Sequence, residues 1–570
     1  MPLDETSRLR ILTAPGGPFP LTERVVDGIR LEMFDRDPRT MRDAFLATLA
    51  HGDRPAVVYG DERWTYAEQW DIVVALAHAL RDDLGVVKGD HVGIAMRNYP
   101  EFVFAFWALE LLGAVVVPFN GWLKTPELAD LVAEARPTVL FADRERIALL
   151  RDVDLAASGV RRVVGVRCAA NDGSFVDFAD LLTGVGAFVE PPACTISPDD
   201  PSTLLFTSGT TGRPKGAVHT HRNHTASLLN KYIRAVRIIP STDGGAPRVA
   251  PPAPSVKLVT FPFFHVAGLN TLYTAAYSGH ALVLMYKWDA EEALRLIEAE
   301  GANELAGPPF VIQTFLAAAA TTTRDLGSLR ILGMGGSAAP VRLITQIADR
   351  FGTAVTPRTG YGMTETTSGV VSISAAEFAA HPDSVGRPLP TAEVALLGED
   401  GQVLGQGEEG EIAIRGPQVV SGYYRMPDSE EFRDGWFRTG DLGRIDEDGL
   451  IYIVGRLKDI VIRGGENINC AEVEAALNAH PDVVEAAAFG APHPTLGEEL
   501  VAIVRVHDAS TVEPDELRSF LADRLAGFKV PARIALSRSM LPRTPSGKIV
   551  KRDIAQQMQV AGILQPAGGG

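Results

Sequence analysis

The sequence predicts an α/β protein. It has a large N-terminal domain of two packed parallel αβ sheets plus a small β-rich subdomain, followed by a small α+β C-terminal domain. Three observations predict this. Short apolar runs alternate with helix-length segments in two separate blocks, the pattern of parallel strands joined by crossover helices. After Gln418 the runs shorten and are broken by Gly and Asp-Gly turns. From about Leu457 strands and helices alternate again, over a stretch short enough for one compact unit.

In the first block, strands are expected at His91–Met96, Ala114–Val117 and Thr138–Phe141, with helices at Glu101–Leu112 and from Pro126. In the second, strands at Lys257–Phe261, Ala281–Met285, Leu329–Met334 and Ala354–Thr359 are spaced by helices at Val266–Tyr277, Ala290–Glu300 and Val341–Phe351. Asp448-Gly449 between apolar runs is a hairpin signal. The last unit reads as a strand at Asp459–Ile462, a helix at Ala471–Ala479, strands at Val483–Phe489 and Leu500–Val506, and a helix at Pro514–Leu525. Ser241–Ser255, rich in Pro, Ala and Gly, reads as a flexible surface insertion, and Gln565–Gly570 as a disordered tail.

Composition narrows the function. The chain has 570 residues, 46% hydrophobic and 22% charged, with a formal net charge of −17. That balance argues against a nucleic-acid or anionic-membrane binder, since both need an excess of Lys and Arg to offset phosphate. The three cysteines, Cys168, Cys194 and Cys470, lie far apart with no metal-ligand spacing, which suits a reducing, cytoplasmic setting. Met1 to Pro20 lacks the basic-then-apolar order of a signal peptide. Phe102 to Phe119 carries one charge, Glu110, but Gly113 and Pro118 interrupt it, so it reads as a buried helix and strand rather than a transmembrane segment.

Thr207-Ser208-Gly209-Thr210-Thr211-Gly212-Arg213-Pro214-Lys215-Gly216 follows the apolar strand Thr203–Phe206. Polyphosphate needs many donors and little bulk. Glycines let backbone N–H groups approach, hydroxyls add donors, and a lysine adds charge. It is not a Walker A loop, because Lys215 is not followed by Ser or Thr. The decapeptide resembles the phosphate-binding signature of the adenylate-forming superfamily, which includes acyl-CoA synthetases, peptide-synthetase adenylation domains and firefly-type luciferases. The family's other motifs occur in order along the chain, so the resemblance spans roughly Leu46 to Arg552.

Arg358 to Thr366 contains Gly360-Tyr361-Gly362-Met363-Thr364-Glu365. A carboxylate beside phosphate requires a cation between them, so Glu365 reads as a Mg²⁺ ligand, like its family counterpart. Thr364 can donate to the α-phosphate, and Tyr361 offers a ring face to adenine. Taken alone, Thr-Glu also suits a helix start. Gly336, Ser337 and Ala338 match the adenine-contacting loop. His265, in Phe261-Pro262-Phe263-Phe264-His265, matches a residue that lines and gates the acyl pocket; a lone His beside aromatics is otherwise a core residue.

The resemblance implies further roles. Asp441 and Arg456 match ribose contacts. Lys458 matches the hinge of a mobile C-terminal domain. Gly464, Gly465 and Asn467 match a loop bordering the coenzyme A channel. Lys548, in Thr544-Pro545-Ser546-Gly547-Lys548, matches the catalytic lysine that stabilises charge at the α-phosphate. The expected domains are 1–455 for ATP and acyl binding, a hinge at 456–459, and 460–570.

The implied activity is that of an AMP-forming acyl-CoA synthetase using ATP, Mg²⁺ and coenzyme A. Acetyl-CoA synthetases carry Trp at the position of Gly362, so glycine there implies room for a longer acid. No Asp stands near Phe263–His265 to receive an α-amino group. A medium- or long-chain fatty acid is the first expectation. An aryl or alicyclic acid, or a carrier protein as acceptor in place of coenzyme A, is the alternative. The oligomeric state, a homodimer among the options, is not given by the sequence.

Overall fold

The computed structural model describes residues 5–168, 173–183, 190–207, 214–239, 248–337, 339–398, 400–426, 429–463, 466–493, 495–544 and 547–560. The fold divides into two compact units: Met1–Glu393 with Ile414–Phe437, and Val394–Ala413 with Arg438–Gly570.

In the first unit, the hairpin β1 (Pro55–Tyr59) and β2 (Glu62–Thr65) leads into α1 (Tyr66–Asp82). Next come β3 (His91–Ala95), α2 (Pro100–Leu112), β4 (Val115–Pro118), α3 (Thr125–Ala135), β5 (Val139–Asp143), β6 (Arg162–Val166) and β7 (Val176–Asp177). The hairpin β8 (Pro201–Thr207) and β9 (Lys215–Thr220) runs directly into α4 (His221–Ala235). The second run is β10 (Val256–Val259), α5 (Val266–Ser278), β11 (Ala281–Leu284), α6 (Ala290–Glu300), β12 (Glu304–Gly307), α7 (Pro309–Ala319), β13 (Ile331–Met334), α8 (Val341–Phe351) and β14 (Thr356–Arg358). The hairpin β15 (Gly360–Met363) and β16 (Ser368–Ser372) comes next.

Two seven-stranded sheets result, ordered β9-β8-β4-β3-β5-β6-β7 and β14-β13-β12-β10-β11-β1-β2. Each has six parallel strands and one antiparallel edge, β9 on β8 and β2 on β1. One apolar core contains Val92 and Ile94 of the first sheet, Val57 and Leu282 of the second, and the buried faces of α1, α2, α4 and α5. The two sheets thus pack through a shared helical layer. Helix α2 shows why the expected strand–helix reading prevails over a membrane span. Pro100 occupies its first turn, Gly113 caps it at φ 65, and the chain turns back into β4. No helix among the described residues is long and apolar enough to cross a membrane.

The alternation is as expected, with one further β–α pair, β12 and α7, between the expected helix at 290–300 and strand at 329–334. Part of the expected insertion is not irregular. Arg248–Ala250 pairs antiparallel with Arg237–Ile239, and Ile238 and Val249 pack against the main core. Residues 240–247 and the tail at 565–570 lie outside the described residues.

C-terminal to β16 are β17 (Glu393–Leu397), β18 (Glu409–Arg415), β19 (Phe432–Arg433), β20 (Trp436–Ile445) and β21 (Ile451–Arg456). These form a five-stranded sheet ordered β17-β18-β20-β19, with β21 on β20. The C-terminal part contains β22 (Ile460–Arg463), β23 (Glu466–Asn469), α9 (Cys470–Asn478), β24 (Val483–His493), β25 (Gly497–Val506), α10 (Pro514–Ala522) and β26 (Arg533–Ser537). Its sheet runs β23-β22-β25-β24, with β26 on β25.

This grouping differs from the expected division at 455. Residues 394–413 and 438–455 belong with the second unit, and the expected hinge at 456–459 lies inside it. The cause is local. The β20–β21 hairpin, turned at Asp446–Gly449, continues through Leu457–Asp459 into β22, and the Asn469 side chain donates to the Val454 carbonyl at 2.5 Å.

Three histidines near the α4 N-terminus are buried: His219, His221 and His224. Burial pulls His219 and His221 down to about 4, and His224 well below its ordinary value. Burial also pushes the neighbouring Glu110 carboxyl up. Between about pH 4.5 and 6.5 the unfolded chain protonates three imidazoles that the fold keeps neutral, whereas the fold keeps one extra proton on Glu110. The histidines outweigh the carboxyl, so their stabilisation is present above pH 6.5 and lost as pH falls toward 4. Melting temperature should therefore drop between pH 7 and 5; a flat profile would mean that the imidazoles are charged in the fold.

Candidate active site

Phosphate-loop residues 208–213 lie outside the described residues, but both ends of the loop are placed. Thr207 closes β8 and Lys215 opens β9, paired across the hairpin, with the Thr207 hydroxyl donating to the Lys215 carbonyl at 3.3 Å. The Lys215 ammonium lies 2.5 Å from Glu431 and 4.7 Å from the centre of the Tyr423 ring. Burial alone would raise Glu431, but the hydrogen bonds from Lys215 and Ser429 outweigh it and hold the carboxyl down to about 2.

Glu365 sits in the tight turn Thr364–Thr366 between β15 and β16 and is buried. The Tyr423 hydroxyl donates to its Oε1 at 2.8 Å, and its carbonyl accepts from Val420 N–H at 2.9 Å. His219, neutral through burial, bonds through Nε2 to the Thr364 carbonyl at 2.8 Å. The loop lysine, Glu365 and the segment around Tyr423 therefore form one connected polar group within the first unit. Tyr423 and Glu431 were not singled out from the sequence. Neither belongs to a motif with a recognised spacing, and Glu431 is 216 residues from Lys215.

Burial and the negative charge of Glu365 both push the Tyr423 phenol up, so it remains a donor. Among the described residues no group of three or more His, Cys, Asp or Glu side chains is placed to hold a metal. An ion on Glu365 would take its other ligands from phosphate and water, the coordination Mg²⁺ favours.

Tyr361, Gly362 and Met363 lie on β15, and Gly336 and Ser337 come after β13, Gly336 at φ 81. Ala338 lies outside the described residues. Gly362, expected to leave acyl room, also carries a packing constraint. A Cβ there would stand 2.1 Å from the Ser368 carbonyl oxygen and 2.7 Å from the Gly369 Cα. The space beside Gly362 is filled by β16, and glycine is needed for that approach. Gly360 is constrained similarly, 2.5 Å from the Val371 oxygen. His265 is the N-cap of α5, its Nδ1 accepting from Ala267 N–H at 3.2 Å, with its ring stacked on Phe261.

In the second unit, Asp441 on β20 and Arg456 on β21 are cross-strand neighbours. Arg456 Nε donates to the buried Asp441 carboxylate at 2.5 Å. Lys458 is exposed in the turn Leu457–Asp459, and Asn467 faces Ile462 across β22–β23. Gly464 and Gly465 lie outside the described residues. Lys548 is exposed; its N–H donates to the Thr544 hydroxyl at 3.1 Å, and its carbonyl accepts from Thr544 N–H at 2.7 Å, closing the turn that presents it.

A buried carboxylate tied to a phosphate-loop lysine, and an acid–arginine pair suited to a diol, are features of nucleotide activation. Comparison with known proteins defines the class. The chain matches the family model "AMP-binding enzyme" over residues 47–424 and "AMP-binding enzyme C-terminal domain" over 472–548. It is 36% identical over 506 residues to a feruloyl-CoA synthase of an Amycolatopsis species, covering 88% of this chain and 95% of that one. It is 32% identical to the long-chain-fatty-acid–CoA ligase FadD13 of Mycobacterium tuberculosis, covering 87% and 93%. The structure of the Bacillus subtilis o-succinylbenzoate coenzyme A synthetase with ATP and magnesium ion superposes with a TM-score of 0.74 at 28% identity, covering 90% and 98%. The chain belongs to the AMP-binding enzyme family, and within it to the adenylate-forming acid–CoA ligases. The expected superfamily is borne out.

Replacing Tyr423 with Phe removes the hydrogen bond to Glu365 and leaves the ring under Lys215. A hydrogen bond to a charged group contributes about 1.5–3 kcal/mol. The KM for ATP–Mg²⁺ in Tyr423→Phe should therefore rise about tenfold or more in a pyrophosphate-release assay, with the melting temperature little changed.

Proposed function

We propose that the protein is an AMP-forming acid–CoA ligase whose acid is compact and ring-bearing. The acid is adenylated on ATP with release of pyrophosphate, and its acyl group then passes to the coenzyme A thiol with release of AMP. The observation that carries the adenylation step is the linkage of Lys215, Tyr423 and Glu365 around the phosphate loop. Bound Mg²⁺, held by Glu365, supplies positive charge against the polyphosphate. Lys215 leaves Glu431 for the phosphates, and Thr364 donates to the α-phosphate. Asp441 accepts from the ribose hydroxyls, with Arg456 orienting the carboxylate. Gly336–Ala338 and Tyr361 enclose the adenine. Lys548, on its exposed turn, stabilises the charge that grows as the carboxylate attacks phosphorus. In the second half-reaction the C-terminal region turns about Lys458, withdrawing Lys548 and bringing Gly464, Gly465 and Asn467 to the coenzyme A arm.

The ring-bearing acid takes precedence over the fatty acid because of what stands behind the expected acyl site. Along α5, beyond the cap His265, Asn270 and Tyr273 join Ser227 of α4 and Ser368 of β16 in a hydrogen-bonded polar cluster. The terminal methyl of a long alkyl chain gains nothing there, whereas a ring substituent with polar atoms does. The feruloyl-CoA and o-succinylbenzoate relatives are consistent with this choice. A fatty acid is the second reading, favoured by the similarity to FadD13.

The test is thioester formation with ATP, Mg²⁺, coenzyme A and a panel of aryl, arylalkyl and C2–C18 acids. Aryl or arylalkyl acids should give the highest kcat/KM; a maximum at C12–C18 would select the fatty-acid reading. Pyrophosphate exchange without any thioester would point to a different acceptor. In Lys548→Ala, adenylation should fall about a hundredfold or more, while transfer from supplied acyl-adenylate to coenzyme A continues. Equal loss of both steps would refute the division of labour.

A further inference from the structure

Helix α4 carries a lysine that the adenylation chemistry leaves unused. The Lys231 ammonium donates to Asn270 Oδ1 on α5 and, at 3.0 Å, to Ser368 Oγ on β16. Both hydrogens of the Asn270 amide are committed, to Ser227 Oγ at 3.0 Å and to the Tyr273 hydroxyl, so its oxygen is held toward the lysine. An ammonium has three donors. Among the described residues Lys231 has these two acceptors, both neutral, and no carboxylate within ion-pair distance. The nearest acid that acts on it, Glu304, is 2.5 Å from Lys257. Burial, reinforced by Lys257 and Arg234, pulls Lys231 down to about 7. In its ammonium form it is set among neutral partners, with one donor unspent and some surface still open to solvent.

Its position gives the unspent donor a use. Ser368 pairs with Met363 across β15–β16, one residue from Gly362. Asn270 is on the helix capped by His265. Lys231 is thus bonded both to the helix whose cap is expected to gate the acyl group and to the strand that packs against Gly362. The backbone is bent to achieve this. Thr367 and Ser368, neither of them glycine, sit at φ 50 and φ 84, where L-residues are strained. Ser227 donates to the Thr367 carbonyl at 2.7 Å and holds that turn against α4.

We propose that Lys231 is the specificity-determining residue of the acyl site, selecting carboxylic acids whose far end carries an oxygen acceptor, a phenolic hydroxyl or a second carboxylate. This rests on the ligase reading above and names the class of acid within it. An acceptor at the far end completes the third hydrogen bond of the ammonium and partly neutralises it. An acid ending in hydrogen or methyl leaves the cation buried and unmatched.

The experiment compares matched acids on the purified protein with ATP, Mg²⁺ and coenzyme A: 4-hydroxycinnamate against cinnamate, a 4-carboxy-substituted arylalkanoate against its unsubstituted parent, and octanedioate against octanoate. In the wild type the oxygen-bearing member of at least one aryl pair should exceed its partner about tenfold or more in kcat/KM. The better aryl pair tells a phenol from a carboxylate. In Lys231→Met, which keeps the length and removes the charge, the ratio should collapse toward one; in Lys231→Arg it should be largely restored. Wild-type ratios near or below one in every pair overturn the proposal while the ligase reading stands. A ratio that survives in Lys231→Met overturns the assignment to this residue. Absence of AMP and thioester from every acid overturns the ligase reading, and the proposal with it.

Discussion

Helix α4 is buried along most of its length, yet it is largely polar, and the first unit is organised by that conflict. A buried polar group without a partner is costly, and most of those on α4 are bonded, His221 Nε2, His224 Nδ1 and Asn230 Oδ1 being the exceptions. Asn223 donates to the Pro417 and Val419 carbonyls at 2.8 and 2.9 Å, drawing the segment that carries Tyr423 toward the phosphate hairpin. Ser227 holds the Thr367 carbonyl, Asn230 donates to Thr391 at 2.6 Å, and Lys231 reaches α5 and β16. His224 meets Thr203 of β8 at 2.9 Å. Most of these bonds end on a different stretch of chain. The helix that starts where the phosphate hairpin ends therefore also positions the strand after Glu365 and the wall behind the expected acyl site.

This coupling explains how a connected site arises from motifs far apart in sequence. Glu365 is oriented by Tyr423, and Tyr423 lies beneath Lys215, so a shift in one element moves the others. The pairing of Lys215 with Glu431 gives the lysine an anionic partner until stronger negative charge is offered. In the second unit the Asp441–Arg456 pair is built differently, from cross-strand neighbours on one hairpin, and needs little from the rest of the fold.

The parts of the fold that were legible in the sequence are those where one physical signal dominates. Helix α2 and strand β4 are apolar throughout and punctuated by Pro100, Gly113 and Pro118, so the period and the breaks could be read directly. The pair β12 and α7 was not legible. The strand has four residues, two of them Gly and Ala, and the helix begins at Pro309 after another proline. The strand at Arg248–Ala250 was hidden by the Pro-rich composition around it. The grouping of hairpin β20–β21 with the C-terminal segment was not legible either: the hairpin resembles the preceding β-rich sequence but is hydrogen-bonded to that segment through Asn469.

By itself the sequence determined the alternating architecture, the superfamily and the residue types that meet nucleotide, because strand and helix periods and Gly-rich phosphate loops are local properties. Only the tertiary structure decided that Gly362 accommodates the close approach of a neighbouring strand. It also decided that Tyr423 serves Glu365 and that Lys231 is enclosed among neutral partners. Each of these depends on which backbone lies within a few ångströms of a side chain, and no local spacing encodes that distance.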